Sequence, residues 1–84
     1  MGFFADTLFV KEIHPGILGT VELICLEKGS ILENHLTLPL GLVRELKIQP
    51  GDVIKVKCKD IDGLNSKPKW VKKDGQKLRL ADFR

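Results

Sequence analysis

Apolar and polar residues alternate with a period of two along several short stretches, and each is predicted to be a strand. The clearest is DVIKVKCKDI (52–61), where Ile54, Val56 and Cys58 point one way and Lys55, Lys57 and Lys59 the other. TLFVKEI (7–13), rich in β-branched and aromatic residues, is another, ended by HPG at 14–16. In TVELICLE (20–27), Val21, Leu23 and Cys25 alternate with Glu22, Ile24 and Leu26, so both faces are largely apolar and cover is expected on both. HLTLP (35–39) is a short strand with Leu36 and Leu38 inward. KWVKKDGQKLRL (69–80) reads as a hairpin, because Asp74-Gly75 favours a type I′ turn. A two-residue turn sets Lys73 opposite Gln76, Lys72 opposite Lys77, Val71 opposite Leu78 and Trp70 opposite Arg79. Val71, Leu78 and Leu80 then face the core, and Trp70, Lys72, Lys77 and Arg79 share the other face.

One stretch departs from the period of two. After Pro39, LGLVREL (40–46) places Leu42, Val43 and Leu46 on one helical face, with Pro39 suited to its start. QPGD (49–52) follows as a tight turn, with Pro50 and Gly51 at the central positions of type II. DIDGLNSKPK (60–69) is a polar loop. Six strands and one short helix in 84 residues predict a mainly β fold, a small and strongly bent barrel rather than a sandwich.

The length allows one domain, 1–84, whose core stabilises only a few kcal/mol, so a partner subunit is expected. No apolar stretch approaches a membrane span, MGFFADTLFV lacks the basic start of a secretory signal, and Asp6 stands where a myristoylation site needs Ser or Thr. The expected compartment is the cytoplasm. Cys25 and Cys58 could pair as a disulfide, but buried free thiols are the expectation in a reducing cytosol, and with His14 and His35 they make no zinc spacing. No metal, cofactor or small-molecule ligand is expected. No nucleophile stands beside a base, so no catalysis is expected either. Few Asn, Gln and Met beside many Lys and Glu fit growth at high temperature, in an archaeal or other thermophilic source.

Charge changes the picture. The net charge is +3, but residues 1–43 hold two basic and five acidic residues, whereas residues 44–84 hold twelve basic and six acidic. A basic second half points to a polyanion partner, most directly nucleic acid, against the plainer reading of a solvated lysine-rich sheet face.

LTLPLGLVRELKIQPGDVIKV (36–56) resembles the β-α-β element of the AbrB/MazE-like proteins, transition-state regulators and antitoxins of bacteria and archaea. The residues that carry the resemblance are Leu38-Pro39, Arg44, Leu46-Lys47-Ile48 and Gly51-Asp52-Val53-Ile54, and DGQKLRLADF (74–83) is similar to the hairpin that closes the family's unit. Related Gly-Asp elements occur in the cradle-loop barrels: swapped-hairpin, double-psi, and those of riboflavin synthase and translation factors. The resemblance implies a small cradle-loop barrel built from two such elements. This chain has one, so the other would come from a second copy, giving a homodimer. The additional strands between residues 7 and 27 imply a barrel variant intermediate between these classes. Arg44 is the position at which a DNA contact carries over; His35 and Val43 stand where the family has arginines.

Two readings of function follow. The first is a dimeric DNA-binding transcriptional regulator of AbrB-like type, without catalysis. Arg44, Lys55, Lys57, Lys59, Lys72, Lys77 and Arg79 would hold duplex DNA, while Pro50, Gly51 and Asp52 form a structural turn. The second is a dimeric protein-interaction module, antitoxin-like or an assembly adaptor, with Ile61, Phe83 and the second face of residues 20–27 as contact surface. The chain ends in RLADFR, without the acidic, apolar tail expected of an antitoxin.

Overall fold

The computed structural model describes residues 4–27, 29–58 and 68–83, with the backbone alone at 4–6 and 58. Six strands, β1 (Phe4–Pro15), β2 (Thr20–Glu27), β3 (Glu33–Pro39), β4 (Val53–Cys58), β5 (Trp70–Lys73) and β6 (Gln76–Arg79), form one antiparallel sheet in the order β3-β2-β1-β4-β5-β6. The fold is mainly β, and the sheet is open, with β3 and β6 at its edges. One helix, α1 (Leu40–Leu46), spans the residues expected from sequence, and a 3-10 turn at Leu80–Asp82 follows β6.

β1 is the central strand and is longer than expected, because it runs through His14 and Pro15 instead of ending at Ile13. Pro15 has no N–H to offer, and its place at the strand's last position, opposite Val21, costs the ladder little. Pairing with β2 slips by one residue at Lys11, a bulge that bends the strand and re-aims its side chains. Val10, in register with Cys25 just before the bulge, is also bonded to the Pro-Gly-Asp turn: its N–H donates to the Asp52 carbonyl and its carbonyl accepts from Gly51 N, both at 2.8 Å.

The core follows from the alternation. Leu8, Val10, Val21, Leu23, Cys25, Leu36, Leu38, Ile54, Val56 and Val71 all face one side of the sheet, and Leu42, Val43 and Leu46 of α1 and Ile48 cover them. Pro39 caps α1 without a side-chain bond; instead Leu40 N donates to Gly19 O at 2.9 Å, so the β1–β2 turn anchors the helix start. The helix ends in a left-handed Lys47, with Ile48 N bonded to Val43 O at 3.1 Å. Phe83 is half-buried against the core, not an exposed contact residue, and its ring sits where a Cβ on Gly41 would come to 3.1 Å. Together with Leu80 it reaches the β2–β3 end of the sheet, where both line a cleft with Thr20, Leu38 and Pro39. Ile61 lies outside the described residues. On β2 the second face is only half-buried at Ile24 and Leu26.

Candidate nucleic-acid interface

In an antiparallel sheet, directly paired residues share a face. Lys55 pairs with Thr7 and Lys72, and Lys72 with Lys77. Lys57 pairs with Trp70, and Trp70 with Arg79. Because Val56 and Val71 between them are fully buried, these residues all lie on the outer face. The result is two cross-strand rows, Lys55–Lys72–Lys77 and Lys57–Trp70–Arg79, about 4.8 Å apart between strands and about 7 Å apart along them. The β5–β6 register is the one the Asp74-Gly75 turn predicts, and both turn residues take positive φ, 51° and 84°.

Six of the sequence-derived candidate positions can be placed. Lys55, Lys72, Lys77 and Arg79 come together with Lys57 on this face, whereas Arg44 does not join them. It is exposed on α1, which packs on the opposite, buried side of the sheet. Lys59 lies outside the described residues. Lys77 Nζ rests 4.8 Å from the centre of the Trp70 ring, and Arg79 reaches Asp82 at 3.5 Å. Among the described residues no carboxylate forms an ion pair with Lys55, Lys72 or Lys77.

The other half of the same face carries carboxylates, each paired with a lysine or histidine. Glu12 and His14 meet at 2.9 Å, Glu22 and His35 at 3.4 Å, and Lys11 of the bulge pairs with Glu33 at 2.6 Å. The sequence's division of charge is thus a division of space: β4–β5–β6 carry Lys55, Lys72 and Lys77, which have no ion-paired carboxylate among the described residues. Between the halves stand Phe9 and Val53, which are cross-strand partners with 45% and 57% exposure.

The turn residues have a structural role. Gly51 has φ 96°, Asp52 N donates to Gln49 O at 3.1 Å, and Gln49 N donates to Asp52 Oδ2 at 2.7 Å, a closed type II turn. Hydrogen bonding from Lys73, then from Gln49 N, holds the Asp52 carboxyl below the usual aspartate range. Lys73 is the cation that sequence reading passed over. Two residues beyond buried Val71, it turns to the core side rather than the lysine face.

Cys25 is a free thiol, and burial pushes its pKa up to about 12, so it is inert as a nucleophile. The Cys58 side chain is not described. No group of three metal-ligating side chains occurs among the described residues, and no helix among them is long and apolar enough to cross a membrane. Compared with family models, curated proteins and solved structures, the chain gives no significant match.

Proposed function

We propose that the protein is a non-catalytic nucleic-acid-binding module, a DNA-binding regulator of AbrB-like type, whose outer β4–β5–β6 face docks on phosphates. The observation that carries this reading is the Lys55–Lys72–Lys77 row. Like charges directly opposite each other destabilise a sheet, and here three occupy consecutive strands. A local rule broken with no ion-paired carboxylate among the described residues marks a place where function sets the residue. A polyanion laid across the row supplies the missing counter-charge.

Fluorescence anisotropy with labelled DNA from about 50 to 300 mM salt tests the proposal. Five cations on the face, Lys55, Lys57, Lys72, Lys77 and Arg79, give a slope of log K against log salt of about −4.5 on a duplex and about −3.5 on a single strand. Replacing Lys55, Lys72 and Lys77 with Gln flattens the slope and weakens binding to all sequences alike, with the melting temperature unchanged or higher. Absence of binding at the lowest salt refutes the reading.

The cradle-loop resemblance makes the working unit a homodimer, with the second copy completing a barrel that one chain leaves open. A second reading, a protein-interaction module, draws on Leu18, which is 96% exposed at φ 52°, a conformation unfavourable to leucine. Loss of DNA binding with retention of the dimer would favour it.

A further inference from the structure

We infer that the nucleic acid held by this face is single-stranded, its bases stacking on Phe9 and Trp70 and its phosphates lying on the lysine row between them. This rests on the phosphate-binding face of the proposed function and departs from the duplex ligand that the AbrB-like resemblance implies, naming instead the form of nucleic acid that the same face selects.

The shape of the surface comes first. A major groove about 12 Å wide admits a helix or a two-stranded ribbon. Here the cations spread over three strands that continue sideways into β1 and β2, and among the described residues they sit on the strands themselves and not on a helix. A broad sheet face of this kind meets the backbone of a duplex more readily than the floor of its groove.

The second observation is the pair of aromatic rings beside the cations. Phe9 is 45% exposed in the middle of a strand whose neighbours Leu8 and Val10 are buried, so burial had a place for phenylalanine on either side and position 9 took neither. It lines an apolar notch with Thr7 and Val53, and Val53 also borders the cleft lined by Lys55, Lys72 and the hairpin-turn residues Asp74 and Gly75. An apolar shelf opening onto two ammonium groups matches a nucleotide, with a flat base joined to an anionic phosphate. Trp70 lies at the other end of the cation lattice, and the Lys77 ammonium over its ring shows that a ring face is turned toward the surface. A base stacking there displaces Lys77 toward a phosphate.

The register supplies the spacing. Phe9 is two positions from Thr7, the partner of Lys55, and Trp70 is the partner of Lys57. The two aromatic positions are therefore two strands and four residues apart, about 16 Å, a few nucleotides of extended strand. In a duplex the base faces are stacked on each other and neither ring has a partner. Only an unpaired strand uses both the rings and the lysines.

The chain has one tryptophan and no tyrosine, so its intrinsic emission reports position 70 alone. The full chain is titrated with oligo-dT and oligo-U of about 15 nucleotides, within the range one small β domain covers, and with a duplex of equal length. We expect at least one of the single strands to bind roughly 5-fold or more tighter than the duplex and to quench the emission. The order of the two single strands tells DNA from RNA. Phe9→Ala weakens single-strand binding by about 5-fold without changing duplex binding, and Phe9→Tyr restores it. Duplex binding as tight as single-strand binding, with emission unchanged, overturns the inference and leaves the phosphate-binding face standing. If none of the three probes binds, the proposed function itself falls.

Discussion

Lys73 Nζ lies 3.0 Å from Asp52 Oδ2 and 2.5 Å from the carbonyl oxygen of Lys47, so one side chain of the closing hairpin holds both the Pro-Gly-Asp turn and the end of α1. Its side chain is only 12% exposed, and a cation at a helix C-terminus also meets the negative end of the helix dipole. Lys73→Met leaves the Asp52 carboxylate and the Lys47 carbonyl without this donor, and a loss of about 1–2 kcal/mol is expected in thermal melts. Because Lys73 is turned from the lysine face, the same variant should leave the proposed nucleic-acid binding unchanged. That contrast separates it from Lys72, its neighbour in sequence.

Acid should act through the same pair. The Asp52 carboxyl titrates below its ordinary value near 3.8, first because Lys73 and then because Gln49 N bonds its ionised form. The folded state therefore gains stability from ionised Asp52 above that pH, and loses it as pH falls through the lowered value. Glu33 shifts in the same direction through Lys11, but that pair is exposed and screened by salt. Melts of wild type and Asp52→Asn between neutral pH and about pH 2 should converge as the pH falls, the wild type losing more. Parallel curves would remove Asp52 from the acid response.

Gly51 tests the turn itself. A Cβ added there meets nothing within 4 Å, so the cost of a side chain is backbone strain at φ 96°, not a clash. Gly51→Val is expected to destabilise by about 2–3 kcal/mol. Asp52→Asn costs less, since the amide oxygen can still accept from Gln49 N. An unchanged Gly51→Val melt would contradict the type II geometry and the clasp of the turn on Val10.

These residues also show what was legible in the sequence. The β5–β6 hairpin and its register could be read because Asp74-Gly75 fixes both, and α1 because Pro39 and the apolar spacing fix its start and face. The pairing of β4 with β5, which builds the lysine row, could not be read. The connection between them is long, and no local signal aligns Lys55 with Lys72. The bulge at Lys11 has no Gly or Pro to announce it. Phe9 and Lys73 were within reach, because strict alternation from Leu8 and Val71 puts the first outside and the second inside.

The turn before β2 escaped notice for a physical reason, and it gives the last test. Leu18 and Gly19 take φ 52° and 73°, and Thr20 N donates to Ile17 O at 3.0 Å, which is a type I′ turn. Its first central position favours Asn, Asp or Gly, and leucine there is strained. Ile17 and Leu18 are 78% and 96% exposed, so no packing among the described residues compensates for the strain. Leu18→Asn should therefore stabilise an isolated chain by about 0.5–1 kcal/mol, as relief of left-handed strain does. If the homodimer buries Leu18, the same substitution weakens association. Sedimentation equilibrium of wild type at micromolar concentration should give about twice the 9.4 kDa chain mass, and Leu18→Asn should shift the distribution toward the single chain. A wild type that sediments as a stable monomer would remove the two-chain barrel. A dimer indifferent to Leu18→Asn would keep the barrel and place its interface away from the β1–β2 turn.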